Sequence, residues 1–76
     1  MVEMIRDTQP LKILGENIRA MRKEKNLSQE EFSHRAGIDR SYVGQIERGE
    51  RNISFNNLYK IAEALNTSVS KLTEGL

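Results

Sequence analysis

The 76-residue sequence contains no cysteine and no tryptophan, and it has one proline, one histidine, two tyrosines and two phenylalanines. Without cysteine the chain can form no disulfide, no Fe–S cluster and no thiolate zinc site. No apolar run approaches the roughly 20 residues that a membrane-spanning helix needs. The first seven residues carry acids where a secretory signal would carry lysines. We therefore expect a cytoplasmic protein without a membrane partner.

The titratable side chains form no recognisable catalytic or metal-binding pattern. His34, the only histidine, has no second histidine or cysteine with which to share a metal, and we expect it to be an exposed helix residue. No Gly-rich phosphate loop and no nucleophile–base arrangement is present. The sequence thus predicts a protein that is not an enzyme and that holds neither a cofactor nor a metal.

Apolar residues recur at steps of three and four, which is the pattern of amphipathic helices. Five helices are predicted: about 10–25, about 28–36, one that starts at Asp39 as N-cap and ends near 48, one capped by Ser54, and a short one capped by Thr67 or Ser68. No alternation typical of strands is present. The predicted fold class is all-α, a compact five-helix bundle over residues 10–76, with residues 1–9 as an N-terminal arm.

The second and third predicted helices start eleven residues apart, at Ser28 and Asp39. The first of these starts, Ser28-Gln29-Glu30-Glu31, has the form of a capping box. Gly37 can supply the left-handed residue that ends the second helix and begins a tight turn. This layout is a helix-turn-helix, which places the start of its second helix in the major groove of DNA.

The residues that carry this layout also resemble a known family. The string is Ile18-Arg19, Arg22, Leu27-Ser28-Gln29-Glu30-Glu31, Ala36-Gly37-Ile38, Ile46-Glu47-Arg48-Gly49, Leu58, Ile61-Ala62 and Leu65. It resembles the Cro/C1-type (Xre) helix-turn-helix family over about residues 11–74, which implies a lambda repressor-like DNA-binding domain. Residues 39–43 and 46–54 look most like the controller proteins of restriction–modification systems, which are stand-alone dimeric regulators of about this length.

The residues expected to contact base edges are Arg40, Ser41, Gly44 and Gln45, on the exposed side of the third helix. Arg40 offers a fork for guanine O6 and N7, and Gln45 offers a pair for adenine N6 and N7. A mid-helix glycine costs about 1 kcal/mol relative to alanine. We interpret Gly44 as a point of close approach to DNA, with a packing glycine as the alternative. For the whole face, the alternative is a solvated polar surface.

Contacts to the DNA backbone are expected from other side chains, because positioning and base recognition use different groups. Gln29 lies where a helix start favours a phosphate, and the resemblance assigns it this role. Tyr42 can either reach the backbone with its hydroxyl or pack against the turn. The remaining candidates are Arg51 and Asn52, which resemble a controller-protein backbone clamp, and Arg22, Arg35 and Arg48. The resemblance also implies an internal ion pair between Arg22 and Glu47.

One such domain covers too little DNA for strong discrimination, so we expect a homodimer on a pseudo-palindromic operator. The predicted interface lies at the C-terminal end and comprises Tyr59, Leu65, Asn66, Val69, Leu72 and Leu76. The alternative is that these residues only close the monomer core.

The predicted function is that of a sequence-specific transcriptional regulator, with double-stranded DNA as its partner. Regulation would follow from blocking or contacting RNA polymerase. Two other interpretations stay open: an antitoxin-type protein-interaction module that represses its own operon, and the DNA-binding domain of a longer regulator.

Overall fold

The computed structural model describes residues 9–76, which form five α-helices and no strand. The helices are α1 (Gln9–Glu24), α2 (Gln29–Ala36), α3 (Arg40–Glu47), α4 (Phe55–Ala64) and α5 (Val69–Leu72). The predicted all-α fold is confirmed, although α1 begins one residue earlier than predicted. The rest of the predicted N-terminal arm, residues 1–8, lies outside the described residues. No helix in the described part is long and apolar enough to span a bilayer.

Serine side chains cap three of the helices. The Ser28 Oγ accepts from the Glu31 amide at 3.0 Å, and the Glu31 carboxylate accepts from the Ser28 amide at 2.8 Å. This is the predicted capping box, and the bond from the Ser28 amide lowers the pKa of the Glu31 carboxyl below 4.5. Ser54 and Ser68 cap α4 and α5 in the same way, each accepting from an amide at 3.1 Å. Local sequence therefore sets where these helices begin.

All five helices contribute to one apolar core. Each helix supplies a side chain that is at most 1% exposed: Ile18 of α1, Phe32 of α2, Val43 of α3, Ile61 of α4 and Leu72 of α5. Gly37 ends α2 in the left-handed conformation, with φ of 69°, which a residue without a Cβ adopts at little cost. The chain can therefore turn at once from α2 into α3 while both helices keep their apolar sides on the core.

The helix α1 lies directly against the last turn of α3 at Gly15. A Cβ atom at this position would lie 2.5 Å from the Ile46 carbonyl oxygen and 2.6 Å from the Glu47 carbonyl oxygen. Because both contacts are to backbone atoms, no change of side-chain conformation could relieve them. Glycine is therefore required if α3 is to lie directly on α1. The α3 helix also contacts α2, so two helices hold it in position.

Candidate nucleic-acid interface

A buried ion pair ties the end of α3 to α1. Arg22 Nε donates to Glu47 Oε2 at 2.6 Å, and Arg22 Nη2 donates to Glu47 Oε1 at 3.0 Å. The third nitrogen, Nη1, donates to the Leu27 carbonyl at 2.8 Å. Gln29, in the first turn of α2, donates from Nε2 to the same Glu47 Oε1 at 3.0 Å. The structure thus brings the predicted pair together and connects it to both helices of the helix-turn-helix.

The buried hydrogen bonds of Arg22 limit its predicted role as a contact to the DNA backbone. Its side chain is only 9% exposed, and each of its three guanidinium nitrogens already donates a hydrogen bond within the protein. It therefore presents little surface to a phosphate, and its observed contacts are those of a residue that positions α3.

The first turn of α3 carries two exposed polar residues, Arg40 and Ser41, as the sequence predicts. The Ser41 hydroxyl donates to the Asp39 carboxylate. This bond lowers the pKa of the Asp39 carboxyl below 3.8. Asp39 is the N-cap residue of α3, as predicted, although its side chain makes no capping hydrogen bond. With its proton directed to Asp39, Ser41 presents oxygen lone pairs to an incoming ligand.

The prediction that Gly44 lies on the exposed side of α3 is wrong, since Gly44 is buried. The side chains of Arg48 and Gln29 cover it. A Cβ on Gly44 would lie 3.3 Å from Arg48 Nη1 and 3.8 Å from Gln29 Oε1. Both neighbours are ends of flexible side chains, so the protein itself leaves room for a small side chain here.

A small polar cluster ties α3 to the loop that follows it. The Arg51 guanidinium carbon lies 5.1 Å from the centroid of the Tyr42 ring, and Arg51 Nη1 donates to Gln45 Oε1 at 3.2 Å. The Tyr42 hydroxyl accepts from Asn57 Nδ2 at 3.3 Å and lies 3.5 Å from the Asn52 carbonyl. Tyr42 therefore packs against this loop and α4.

One cleft near the start of α2 is lined by three cationic side chains together with Gln29 and Glu47. The cationic residues are Arg19, Arg22 and Arg48. Arg48 Nε donates to the Glu50 carboxylate at 2.9 Å, which raises the pKa of Arg48 and lowers that of Glu50. Arg19 is exposed and lines this cleft, although it was not among the predicted contacts to DNA. The sequence feature that could have indicated it is the basic segment from residue 19 to residue 25. Arg35 is exposed but does not line this cleft.

The model of the helix-turn-helix family HTH_3 matches residues 18–72, which is more than half of the chain. The chain belongs to the Xre-type helix-turn-helix family. The match runs from the end of α1 through α5, so it includes the buried ion pair, the turn and the exposed start of α3.

The relatives of this chain include the control proteins C.SmaI and C.MunI. This chain is 50% identical over 60 residues to control protein C.SmaI of Serratia marcescens, covering 79% of this chain and 71% of that protein. It is 44% identical over 59 residues to control protein C.MunI of a Mycoplasma species, covering 76% and 80%. The crystal structure of the restriction–modification controller protein C.AhdI from Aeromonas hydrophila superimposes with a TM-score of 0.80 at 45% identity, covering 82% and 94%. The predicted resemblance to controller proteins is confirmed.

The residues predicted to form a dimer interface differ in exposure. Leu65 and Leu72 are fully buried in the monomer core, so the prediction that they face a partner is wrong. The other four keep part or most of their surface exposed: Tyr59, Asn66, Val69 and Leu76. Phe55, which the sequence analysis did not select, is 65% exposed. It lies one turn before Tyr59 on α4, so two aromatic side chains share an exposed helix face.

Proposed function

We propose that this family member is a sequence-specific transcriptional regulator that binds a pseudo-palindromic operator as a homodimer and controls a restriction–modification operon. The exposed start of α3 enters the major groove, and the start of α2 faces the phosphates. Regulation follows from blocking or contacting RNA polymerase bound nearby. The relatives support the operon type, because two are named control proteins and a solved neighbour is a restriction–modification controller.

The observation that carries this proposal is the contrast between the two sides of α3. Its exposed first turn presents Arg40 and Ser41. Its other side is fixed by the buried pair of Arg22 and Glu47 and by backbone contact at Gly15. A rigid element that presents exposed polar side chains is what sequence discrimination requires, because base contacts depend on accurate placement of donors and acceptors.

Selection of bound sites from random duplex DNA tests the proposal directly. The expected product is a two-fold symmetric sequence whose half-sites lie about 34–36 Å apart, one helical turn of DNA. The salt concentration must be fixed, because phosphate contacts make affinity fall steeply as salt rises. Enrichment of no sequence over bulk competitor, by a folded and dimeric sample, would contradict the proposal.

Arg40→Ala is expected to weaken operator binding by about 1–3 kcal/mol and to relax base preference at one position of each half-site. The reason is that an exposed guanidinium at the start of α3 matches guanine O6 and N7. Competition binding with all four bases at each position measures the effect. Arg35→Ala is the control for the loss of one positive charge: it removes an exposed arginine of α2 that is a candidate for phosphate contact, so base preference should stay unchanged even if the affinity for all sequences falls. A uniform loss for Arg40→Ala across all sequences would show that Arg40 contacts phosphate only.

The exposed aromatic face of α4 supports the dimer. Phe55 and Tyr59 are 65% and 53% exposed, and Leu76 is 56% exposed. Large exposed apolar side chains that share one helix face are typical of protein contacts. We therefore place the interface on exposed residues of α4 and the C-terminal end, with Phe55 added to Tyr59, Asn66, Val69 and Leu76.

Tyr59→Lys is expected to raise the dimer dissociation constant about tenfold or more. A two-fold interface places the substituted residue on both subunits, so the change removes two aromatic contacts and adds two like charges. Sedimentation equilibrium measures the effect. Glu16→Lys, at an exposed position of α1, is the control and should leave dimerisation unchanged. A wild-type protein that is monomeric at tens of micromolar, or a Tyr59→Lys protein that dimerises normally, would remove this interface.

A further inference from the structure

Gln45 does not present a free amide group. Its Oε1 accepts from Arg51 Nη1 at 3.2 Å. A guanidinium carries only donors, so the atom of Gln45 that faces Arg51 must be the carbonyl oxygen, whichever way the amide is drawn. Arg51 takes one of the two lone pairs of Oε1, whereas the NH₂ group, which donates and cannot accept, remains to be offered in full.

Arg51 is itself held in place by its neighbours. Its guanidinium lies over the Tyr42 ring, 5.1 Å from the centroid, a cation–π contact. The ring is fixed in turn, because its hydroxyl accepts from Asn57 at the start of α4. The bond between Arg51 and Gln45 therefore belongs to a connected cluster of four side chains. In a DNA complex that excludes water, the electrostatic part of such a bond becomes stronger.

We propose that Arg51 is a positioning residue that holds the amide oxygen of Gln45, so that Gln45 directs its NH₂ group to the base and selects guanine instead of adenine. The inference rests on the proposed function. Guanine presents two acceptors in the major groove, N7 and O6, and both suit an NH₂ group. Adenine presents N7 beside an N6 donor, so its paired recognition needs both the oxygen and the nitrogen of the amide. Thymine offers a single acceptor, and cytosine offers a donor.

The sequence alone led to the opposite base, since a glutamine with a free amide suits adenine. To pair with adenine, Gln45 Oε1 would have to be shared between Arg51 and the adenine N6 group or to release Arg51, and either change weakens the bond between Gln45 and Arg51. The choice of base at this position therefore depends on a residue six positions away that need not touch the base itself.

The test compares base preference in four proteins of confirmed helical content. Comparing selected sites of wild type and Gln45→Ala identifies the operator position that Gln45 contacts. At that position the wild type is expected to prefer guanine. Arg51→Ala frees Oε1, so the ratio of guanine to adenine affinity should fall about tenfold. Arg48→Ala is the matched control: it removes an exposed arginine nearby that pairs with Glu50 and not with Gln45, so it should leave this ratio unchanged.

Each other outcome decides against the inference. A wild type that prefers adenine at this position shows that Gln45 uses both ends of its amide. Equal loss of affinity for all four bases in Arg51→Ala shows that Arg51 serves only as a phosphate contact. A position that is unaffected by Gln45→Ala shows that Gln45 does not contact a base, although the operator itself stands. Selection of no operator by the wild type removes the proposed function and the inference together.

Discussion

Gly15→Ala is expected to lower the free energy of unfolding by about 2–3 kcal/mol, although alanine is the better helix former. The added methyl group would lie 2.5 Å and 2.6 Å from the carbonyl oxygens of Ile46 and Glu47. Ordinary contacts of this kind are about 1 Å longer, and both partners are backbone atoms. Relief requires that α3 move away from α1, which costs core packing over the whole crossing.

Gly44→Ala is the matched control for this experiment, because it makes the same substitution in the middle of another helix. Its methyl group would meet only the ends of two flexible side chains, Arg48 at 3.3 Å and Gln29 at 3.8 Å. We expect unchanged or slightly higher stability, owing to the helix preference of alanine. Urea denaturation of both proteins measures the difference. Equal midpoints for Gly15→Ala and wild type would show that the crossing of α1 and α3 adjusts without cost.

The two glycines also show where sequence reasoning succeeds and where it fails. A role was predicted for Gly44 because it lies within the predicted contact face, whereas none was predicted for Gly15, which lies inside the apolar stripe of α1. In the structure Gly15 is the one that a helix crossing requires. A glycine between Leu14 and Ile18 on the core side of a helix was the available signal, but which helix approaches it depends on tertiary packing.

Features fixed by neighbouring residues were predicted well. The capping box of Ser28 and Glu31 formed as expected, and Gly37 ended α2 in the left-handed conformation. These outcomes depend on backbone amides within one turn, so the sequence contains the information.

Features fixed by side-chain partners were not predictable in the same way. Asp39 is the N-cap residue of α3 as expected, but its carboxylate accepts from the Ser41 hydroxyl instead of making a capping hydrogen bond. Gln45 was expected to offer a complete amide, but Arg51 from the following loop occupies its oxygen. Periodicity identifies which residues share a face, but it does not say which rotamers they adopt or which loop residue reaches them.

The largest effect on stability is expected from Glu47→Ala, about 3–5 kcal/mol. The buried Arg22 would lose the acceptors of both Nε and Nη2 and keep only the Leu27 carbonyl. Gln29 would also lose the carboxylate oxygen to which it donates. An unpaired buried cation is costly because neither water nor a counter-charge replaces the lost partner. For a domain of this size, the loss corresponds to a fall in melting temperature of roughly 15–30 °C.

Two comparisons separate the ion pair from a general effect of removing a carboxylate. Glu50→Ala removes the partner of Arg48, but that pair is more than half exposed, so the melting temperature should change little. The double variant Arg22→Met/Glu47→Leu removes both charges together and should regain much of the stability that Glu47→Ala loses. An unchanged melting temperature for Glu47→Ala would show that Arg22 finds water or another acceptor.

Glu47→Ala also tests recognition, because Glu47 lies at the end of α3 and the proposed base contacts lie toward the start of that helix. We expect Glu47→Ala to lose folding before it loses sequence preference. At low temperature, the folded fraction should bind the same operator with the same ratio of affinities among base variants, at a reduced active concentration. A changed ratio in a fully folded sample would instead mean that the ion pair sets the orientation of α3 on DNA as well as its stability.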